Sequence, residues 1–459
     1  MKSAFLKCVL PLALLAGFQT SVFAAESPAS STVAPDPELT HYLSSTGPLS
    51  VEEMRAVKRQ KGMQPRAIQR ASTTYTYLRC FYHTSSSNLH PTTSYVWGID
   101  PLSGGYYKIT GSWYAGGALD WENMFYSAVS QATLQSVCQS TLSSKGIAGA
   151  PALVAAADNS LSFNYTVWTN DNATQPAAIN KIVAFGDSLS DNQNVYNASE
   201  WTLPHSGTWF LGRFSNDRNW VEYLSSNLNL PLYNWAVGGA GVTTQDLVIP
   251  GVVEQEQSWA AYMQKAPNYQ VQNTLFTLLI GGNDLVNYNS TVAQVMAGET
   301  QTVQALINAG ARNILILKLP DVSRAPVFTI KTNGAAVAAE VLDLNNQLTT
   351  MVNNFQTQYG SNLKIRLFDT YALFNDVLAN PANYGVTNTS ASCLNINTDS
   401  SLNYLESQSP RSICTNPDTF VFWDTLHPTT HTHKVLASSV TSFVQANFGA
   451  ISSTAMAGH

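Results

Sequence analysis

Four short runs in this chain read as buried strands: residues 181–185 (KIVAF), 274–280 (TLFTLLI), 313–319 (NILILKL) and 364–368 (KIRLF), the first three apolar mostly at consecutive rather than alternate positions. A strand with one wet face alternates, whereas an uninterrupted apolar strand is covered on both faces. Between the last two runs, Val337, Val341, Leu344, Leu348, Met351 and Phe355 recur at steps of four and three, the spacing of one helix face. Doubly covered strands alternating with helices make a parallel sheet between two helical layers. Residues 178–450 are therefore expected to form a three-layer α/β/α domain. Its site is expected at the carboxyl ends of the strands.

The texture upstream differs. From Thr73, short aromatic and β-branched runs such as TTYTYLRCFYHT and TSYVWGID are broken by Gly, Pro and Asn. This strand-and-turn chemistry predicts a small β-rich domain over residues 73–170. Residues 26–72 start rich in Ser, Pro, Thr and Ala and pass into a basic stretch holding Arg55, Lys58, Arg59, Lys61, Arg66 and Arg70. They are expected to be disordered, as a linker or a pro-segment. Residues 1–25 have the layout of a secretory signal: Lys2 and Lys7, an apolar stretch from Val9 to Phe18, then Val22-Phe23-Ala24. The alternative is a transmembrane anchor, but about 10–12 apolar residues do not cross a hydrocarbon core of roughly 30 Å. The protein is expected to be exported and soluble.

Beyond the signal stand Cys80, Cys138, Cys393 and Cys414. An even count in an exported chain favours disulfides, and sequence proximity favours Cys80–Cys138 and Cys393–Cys414. Other pairings and free buried thiols are the alternatives. No Cys/His spacing suggests a metal site. The net charge of −6 argues against nucleic acid as the main partner, because phosphate binding needs a basic face.

Three of the expected strand ends carry polar clusters. Gly186-Asp187-Ser188-Leu189-Ser190 follows the first run. A strand turning sharply at a serine exposes its Oγ and offers backbone N–H groups to an oxyanion, though Gly-Asp-Ser is also ordinary turn chemistry. Gly238-Gly239-Ala240 follows LYNWAV; two glycines let a backbone approach a ligand closely, or simply make a tight turn. Gly281-Gly282-Asn283-Asp284 follows TLLI, where an Asn amide can meet developing negative charge or cap a helix. Near the C-terminus, FVFWDTLHPTTHTH places Asp424 three residues before His427. A histidine supplies near-neutral basicity, and a carboxylate on its other nitrogen fixes the tautomer. His431 and His433 follow, so a zinc site built with Asp424 is the competing reading.

Individually weak, the clusters come in the order Ser, Gly, Asn, Asp-x-x-His, and in that order they resemble the SGNH, or GDSL, hydrolases. The resemblance implies Ser188 as nucleophile, His427 as base and Asp424 as its orienter. It implies an oxyanion hole of Ser188, Gly239 and Asn283, and no cofactor or metal. Asp191-Asn192-Gln193-Asn194 departs from the more usual Asp-Thr-Gly-Asn. The segments YTYLRC, WENMFY, LPLYNWAVGGA, NTLFTL and FVFWDTLHPTTHTH, with the cysteine positions, further resemble the secreted thermolabile haemolysins of marine gamma-proteobacteria. That resemblance spans about residues 70–450. It implies phospholipase A and lysophospholipase activity on a phospholipid membrane surface, lecithin-dependent haemolysis, and cholesterol as a second acyl acceptor. The alternatives are a soluble short-chain or carbohydrate esterase, and a pore-forming haemolysin. An enzyme working on membranes needs an apolar face. Trp201, Trp209, Phe210, Phe214 and the tyrosine-rich small domain are the candidates, unless these aromatics fill the core.

Overall fold

The computed structural model describes residues 75–114, 124–157, 164, 166–169, 178–246, 248–263 and 269–452. The signal and the segment 26–72 lie outside the described residues. In the small domain, β1 (Tyr75–His83) is flanked by β2 (Thr93–Trp97), β3 (Lys108–Thr110) and β6 (Leu153–Ala157), all antiparallel to it. A second sheet orders β4 (Ser112–Tyr114), β5 (Met124–Ser127) and β7 (Thr166–Thr169), with β5 and β7 parallel. Between β5 and β6 runs a helix, α1 (Gln131–Ser144), capped by the Ser130 hydroxyl. Cys138 of α1 is joined to Cys80 of β1, pinning the helix to the sheet over a core of Leu78, Ile109, Phe125, Leu134 and Leu142.

The large domain holds a parallel sheet in the order β12-β11-β10-β8-β9, built from β8 (Lys181–Gly186), β9 (Leu232–Asn234), β10 (Thr274–Leu279), β11 (Asn313–Leu317) and β12 (Lys364–Phe368). Its side chains alternate between two buried cores. Val183, Phe185, Phe276, Leu278, Ile314 and Ile316 point to one layer. That layer includes α4 (Val252–Met263), α6 (Val292–Asn308) and α7 (Gly334–Tyr359). Ile182, Ala184, Leu275, Leu279, Leu315 and Leu317 point to the other. There α3 (Trp220–Leu228) and α9 (Thr430–Asn447) pack together. This two-sided burial is why the strands read as continuous apolar runs. All six apolar positions expected on one face of α7 are buried. β9, which the sequence offers only as the end of a strand before Gly238, is three residues long, at the start of LYNWAV. Between β8 and α3 lies the short α2 (Asn194–Ala198), and after β10 the short α5 (Gly282–Val286).

The two domains meet over aromatic rings. Arg79 of β1 is fully buried, its guanidinium carbon 4.8–5.1 Å from the rings of Tyr95, Trp97 and Trp201. Its Nη1 donates to Asn164 Oδ1 at 3.1 Å. Tyr95 and Trp97 belong to the small domain and Trp201 to the large one, so the cation plugs the seam. Arg79→Ala is expected to cost about 3 kcal/mol through lost desolvated cation–π contacts and a hydrogen bond. Denaturant unfolding reads this; an unchanged midpoint would refute the seam's importance.

Candidate active site

β8 ends on Gly186, against which β10 passes so closely that a Cβ would sit 2.6 Å from the Leu279 carbonyl oxygen. The chain then makes a tight turn. The N–H groups of Ser190 and Asp191 donate to the Asp187 carbonyl, and Asp187 Oδ1 accepts from the Leu189 N–H at 3.0 Å. The turn sets Ser188 at the carboxyl edge of the sheet. Gly186 pairs with Leu279 in register, which brings the ends of β8 and β10 together. The start of α5 thus comes beside the serine turn, where a Cβ on Gly282 would lie 3.6 Å from Asp187 Oδ2.

The third arm arrives from β14 (Phe420–Phe422), which pairs with β13 (Asn388–Ser392). The Trp423 N–H donates to the His427 carbonyl at 2.8 Å, folding 423–427 into a loop. Inside it, Asp424 Oδ1 accepts the N–H groups of Leu426 and His427 at 2.9 and 2.8 Å. Asp424 Oδ1 and Oδ2 lie 3.0 and 2.9 Å from His427 Nδ1, and His427 Nε2 lies 2.7 Å from Ser188 Oγ. Two acceptor oxygens facing Nδ1 require that nitrogen to hold the ring's proton. Nε2 is then the acceptor for the serine hydroxyl. Burial pushes the Asp424 carboxyl up, but the charge and hydrogen bonds of His427 and the two backbone N–H groups outweigh it. The carboxyl is held below its ordinary value.

Gly239 has φ +83° and its carbonyl accepts the Tyr288 hydroxyl at 2.7 Å. The neighbouring Gly238 N–H donates to Asp191 Oδ2 at 2.8 Å. Asp191 also accepts the N–H groups of Gln193, Asn194 and Val195. One buried carboxylate therefore ties the serine loop to the glycine loop. Gln193, where the resembled family more usually has Gly, has φ 155° and sends its side-chain oxygen to Asn164. The Asn283 amide is held by Ala240 O at 3.0 Å and by Asn287 Nδ2 at 2.8 Å. Among the described residues, the N–H groups of Ser188 and Gly239 have no protein acceptor. Burial raises Asp187 to about 7, with Asp284 adding to it and the Leu189 N–H and His427 opposing. Burial likewise raises Asp284 to about 6.

The aromatic loop read as a lipid-facing surface is not one. Trp209, Phe210 and Phe214 are buried, Trp209 and Phe210 completely. Trp209 Nε1 donates to Asp424 Oδ2 at 3.1 Å. Phe210 stacks on His83 of the small domain, and Phe214 lies 5.0 Å from the His427 ring. An indole N–H near a buried carboxylate is worth more as its donor than at a wet interface. Trp201 is half-buried and stacks on Tyr196. The histidines weighed for zinc also go elsewhere: His431 Nε2 bonds the Tyr384 carbonyl at 2.7 Å, and His433 is buried, which pushes it down to about 3. Among the described residues, no three His, Cys, Asp or Glu side chains gather as metal ligands.

Two neighbours of the site carried no usable sequence signal. Trp209 lies 215 residues before the carboxylate it touches. Tyr404 sits in the span closed by the Cys393–Cys414 disulfide, with its hydroxyl 3.1 Å from His427 Nδ1. Neither has a local spacing to Asp424 that a motif could capture.

Two family models match the chain: "Vibrio dual lipase/transferase, N-terminal domain" over residues 42–170, and "GDSL-like Lipase/Acylhydrolase" over 182–440. The first begins at residue 42, ahead of the boundary at 73 that the change of texture suggests. The thermolabile hemolysin of Vibrio parahaemolyticus is 43% identical, over 80% of this chain and 87% of that protein. The phosphatidylcholine-sterol acyltransferase of Aeromonas hydrophila is 26% identical, over 59% of this chain and 92% of that protein. Among solved structures, an acetylxylan esterase from Geobacillus stearothermophilus is 13% identical, over 60% of this chain and 97% of that one, at a TM-score of 0.34. With a family match over residues 182–440 and 43% identity to the Vibrio hemolysin, the chain belongs to the GDSL-like lipase/acylhydrolase family and is an esterase.

Proposed function

We propose that this protein is an exported phospholipase A and lysophospholipase that cleaves acyl esters of glycerophospholipids at a membrane surface. The observation that carries the chemistry is the unbroken line from Ser188 Oγ through His427 to Asp424, with 2.7 Å at its first step. The names of the two relatives support the lipid substrate.

In the first step Ser188 Oγ attacks the ester carbonyl, and His427 Nε2 takes the hydroxyl proton. The carbonyl oxygen becomes an oxyanion, met by the Ser188 N–H, the Gly239 N–H and the Asn283 amide. As the tetrahedral intermediate collapses, the C–O bond to the lysolipid breaks and His427 returns the proton to that leaving oxygen. Water then attacks the acyl-enzyme, with His427 again as base, releasing the fatty acid and restoring Ser188. A sterol hydroxyl in place of water gives a sterol ester, and the Aeromonas relative supports that second outcome. Asp424 keeps Nδ1 protonated throughout and offsets the charge of the imidazolium.

A substrate panel tests the lipid reading. Phosphatidylcholine vesicles, the same vesicles with cholesterol, p-nitrophenyl acetate and acetylated xylan are compared at equal enzyme. The expected result is fatty acid release from phosphatidylcholine with kcat/KM at least about tenfold above the soluble ester, and cholesteryl ester when the sterol is present. Turnover of acetylated xylan with none on vesicles would replace the proposal by a carbohydrate esterase.

A further inference from the structure

We propose that Tyr404 is a positioning residue for Asp424 and His427, brought to them by the loop that the Cys393–Cys414 disulfide closes. The proposal rests on the reading of Ser188, His427 and Asp424 as the catalytic line.

The closed span contains a short 3-10 turn, Ser401–Leu405, that carries Tyr404. Two contacts clamp the span onto the segment before Trp209. The His205 N–H donates to the Tyr404 carbonyl at 2.8 Å, and the Gln408 N–H donates to Thr208 Oγ1 at 2.8 Å. Arg411 knots its base by donating to the Ile396 carbonyl and to Asn397 Oδ1, both at 2.8 Å. Cys393, Cys414, Trp209 and Trp423 share one buried cluster, against which Tyr404 packs. The disulfide is thus built into the wall of the site rather than onto a distant surface.

The Tyr404 ring is held by Trp209 at 5.0 Å, Phe214 at 5.3 Å and His427 at 5.7 Å. Its hydroxyl sits 3.1 Å from His427 Nδ1. That nitrogen has one hydrogen, and both oxygens of Asp424 are nearer to it, at 2.9 and 3.0 Å. The ring proton goes to Asp424, so the Tyr404 hydroxyl need not donate to Nδ1 and can turn its hydrogen toward the carboxylate beside it, whose charge it feels. In that arrangement Tyr404 Oη joins the donors Asp424 already has, Trp209 Nε1, two backbone N–H groups and His427 Nδ1. Burial, followed by the charge of Asp424, pushes the phenol well above its ordinary value, so it stays a donor at working pH. A fully buried carboxylate needs such donors to remain an anion and to stay in the imidazole plane. The imidazolium exists only during proton transfer, so a misplaced Asp424 weakens turnover and leaves substrate capture alone.

The competing account is that Tyr404 only fills space. Tyr404→Phe separates the two, because it removes the hydroxyl and keeps the ring. With p-nitrophenyl butyrate, kcat is expected to fall about tenfold while KM stays within about twofold. The low-field proton resonance of the His427–Asp424 bond should move, and the thermal midpoint should hold. In a Cys393→Ser/Cys414→Ser background, adding Tyr404→Phe should cost about twofold or less further, because the loop no longer delivers the hydroxyl. A Tyr404→Phe kcat within about twofold of wild type with an unmoved proton resonance overturns the proposal. So does a full further tenfold loss in the disulfide-free background, which would overturn the loop's part in it. Ser188→Ala is assayed beside these variants. If it abolishes turnover and Tyr404→Phe does not reduce it, only the role of Tyr404 falls. If Ser188→Ala keeps turnover, the catalytic line itself is misread.

Discussion

Ser188→Ala is expected to lower fatty acid release from phosphatidylcholine vesicles by at least about 10⁴-fold, and lecithin-dependent red-cell lysis with it. The change removes one atom that, among the described residues, bonds only His427 Nε2. The unfolding midpoint should therefore barely move, because no packing contact or backbone bond goes with it. The neighbouring Ser190 hydroxyl is not placed to take over. Ser190, two residues on, is fully buried and its Oγ accepts the Trp220 indole N–H at 3.0 Å. The residual rate would come from oxyanion donors acting on bound substrate with water as nucleophile. If lipid cleavage disappears while lysis persists, membrane damage has a second route, and the small domain is where to look for it. If cleavage itself persists, Ser188 is not the nucleophile.

Asp424→Asn is expected to lower kcat by roughly 10⁴-fold with little change in KM. Asp424 accepts the His427 and Leu426 backbone N–H groups, the Trp209 indole and His427 Nδ1. An amide has one acceptor oxygen where the carboxylate has two. With the backbone N–H groups holding that oxygen, its NH₂ faces Nδ1 and favours the tautomer protonated on Nε2. That nitrogen then cannot accept the Ser188 proton. Steady-state kinetics on a soluble ester, with circular dichroism to confirm folding, reads the effect. A loss below about tenfold would mean that His427 holds its working tautomer without the carboxylate.

The depth at which each feature could be read differs from one part of the chain to the next. β8, β10 and β11 announce themselves because burial on both faces leaves them buried from end to end and mostly apolar, whereas β12, at the edge of the sheet, is buried only at Ile365 and Phe368 and carries Arg366 in its middle. α7 announces itself because one face of a long helix must be apolar at steps of three and four. β9, three residues long, shows only as the LYNWAV run that leads into the glycines. α1, with Leu134, Val137, Cys138 and Leu142 buried, lay hidden inside a stretch read as β-rich.

The sequence alone determined the doubly covered parallel sheet, the order Ser188, Gly239, Asn283, Asp424 and His427, and the resemblance that order carries. These are local quantities: apolar periodicity, a glycine at a turn, a carboxylate three residues before a histidine. Tertiary structure alone decided what Trp209, Phe210, Phe214 and Tyr404 do. As residues they are simply aromatic, equally suited to a lipid surface or a core. Packing put the Trp209 indole 3.1 Å from a carboxylate 215 positions away, and the Tyr404 hydroxyl 3.1 Å from His427. No periodicity records such a meeting. It depends on how β14, the disulfide-closed span and the loop before α3 come together over the end of the sheet, and a buried carboxylate must find its donors wherever that packing brings them.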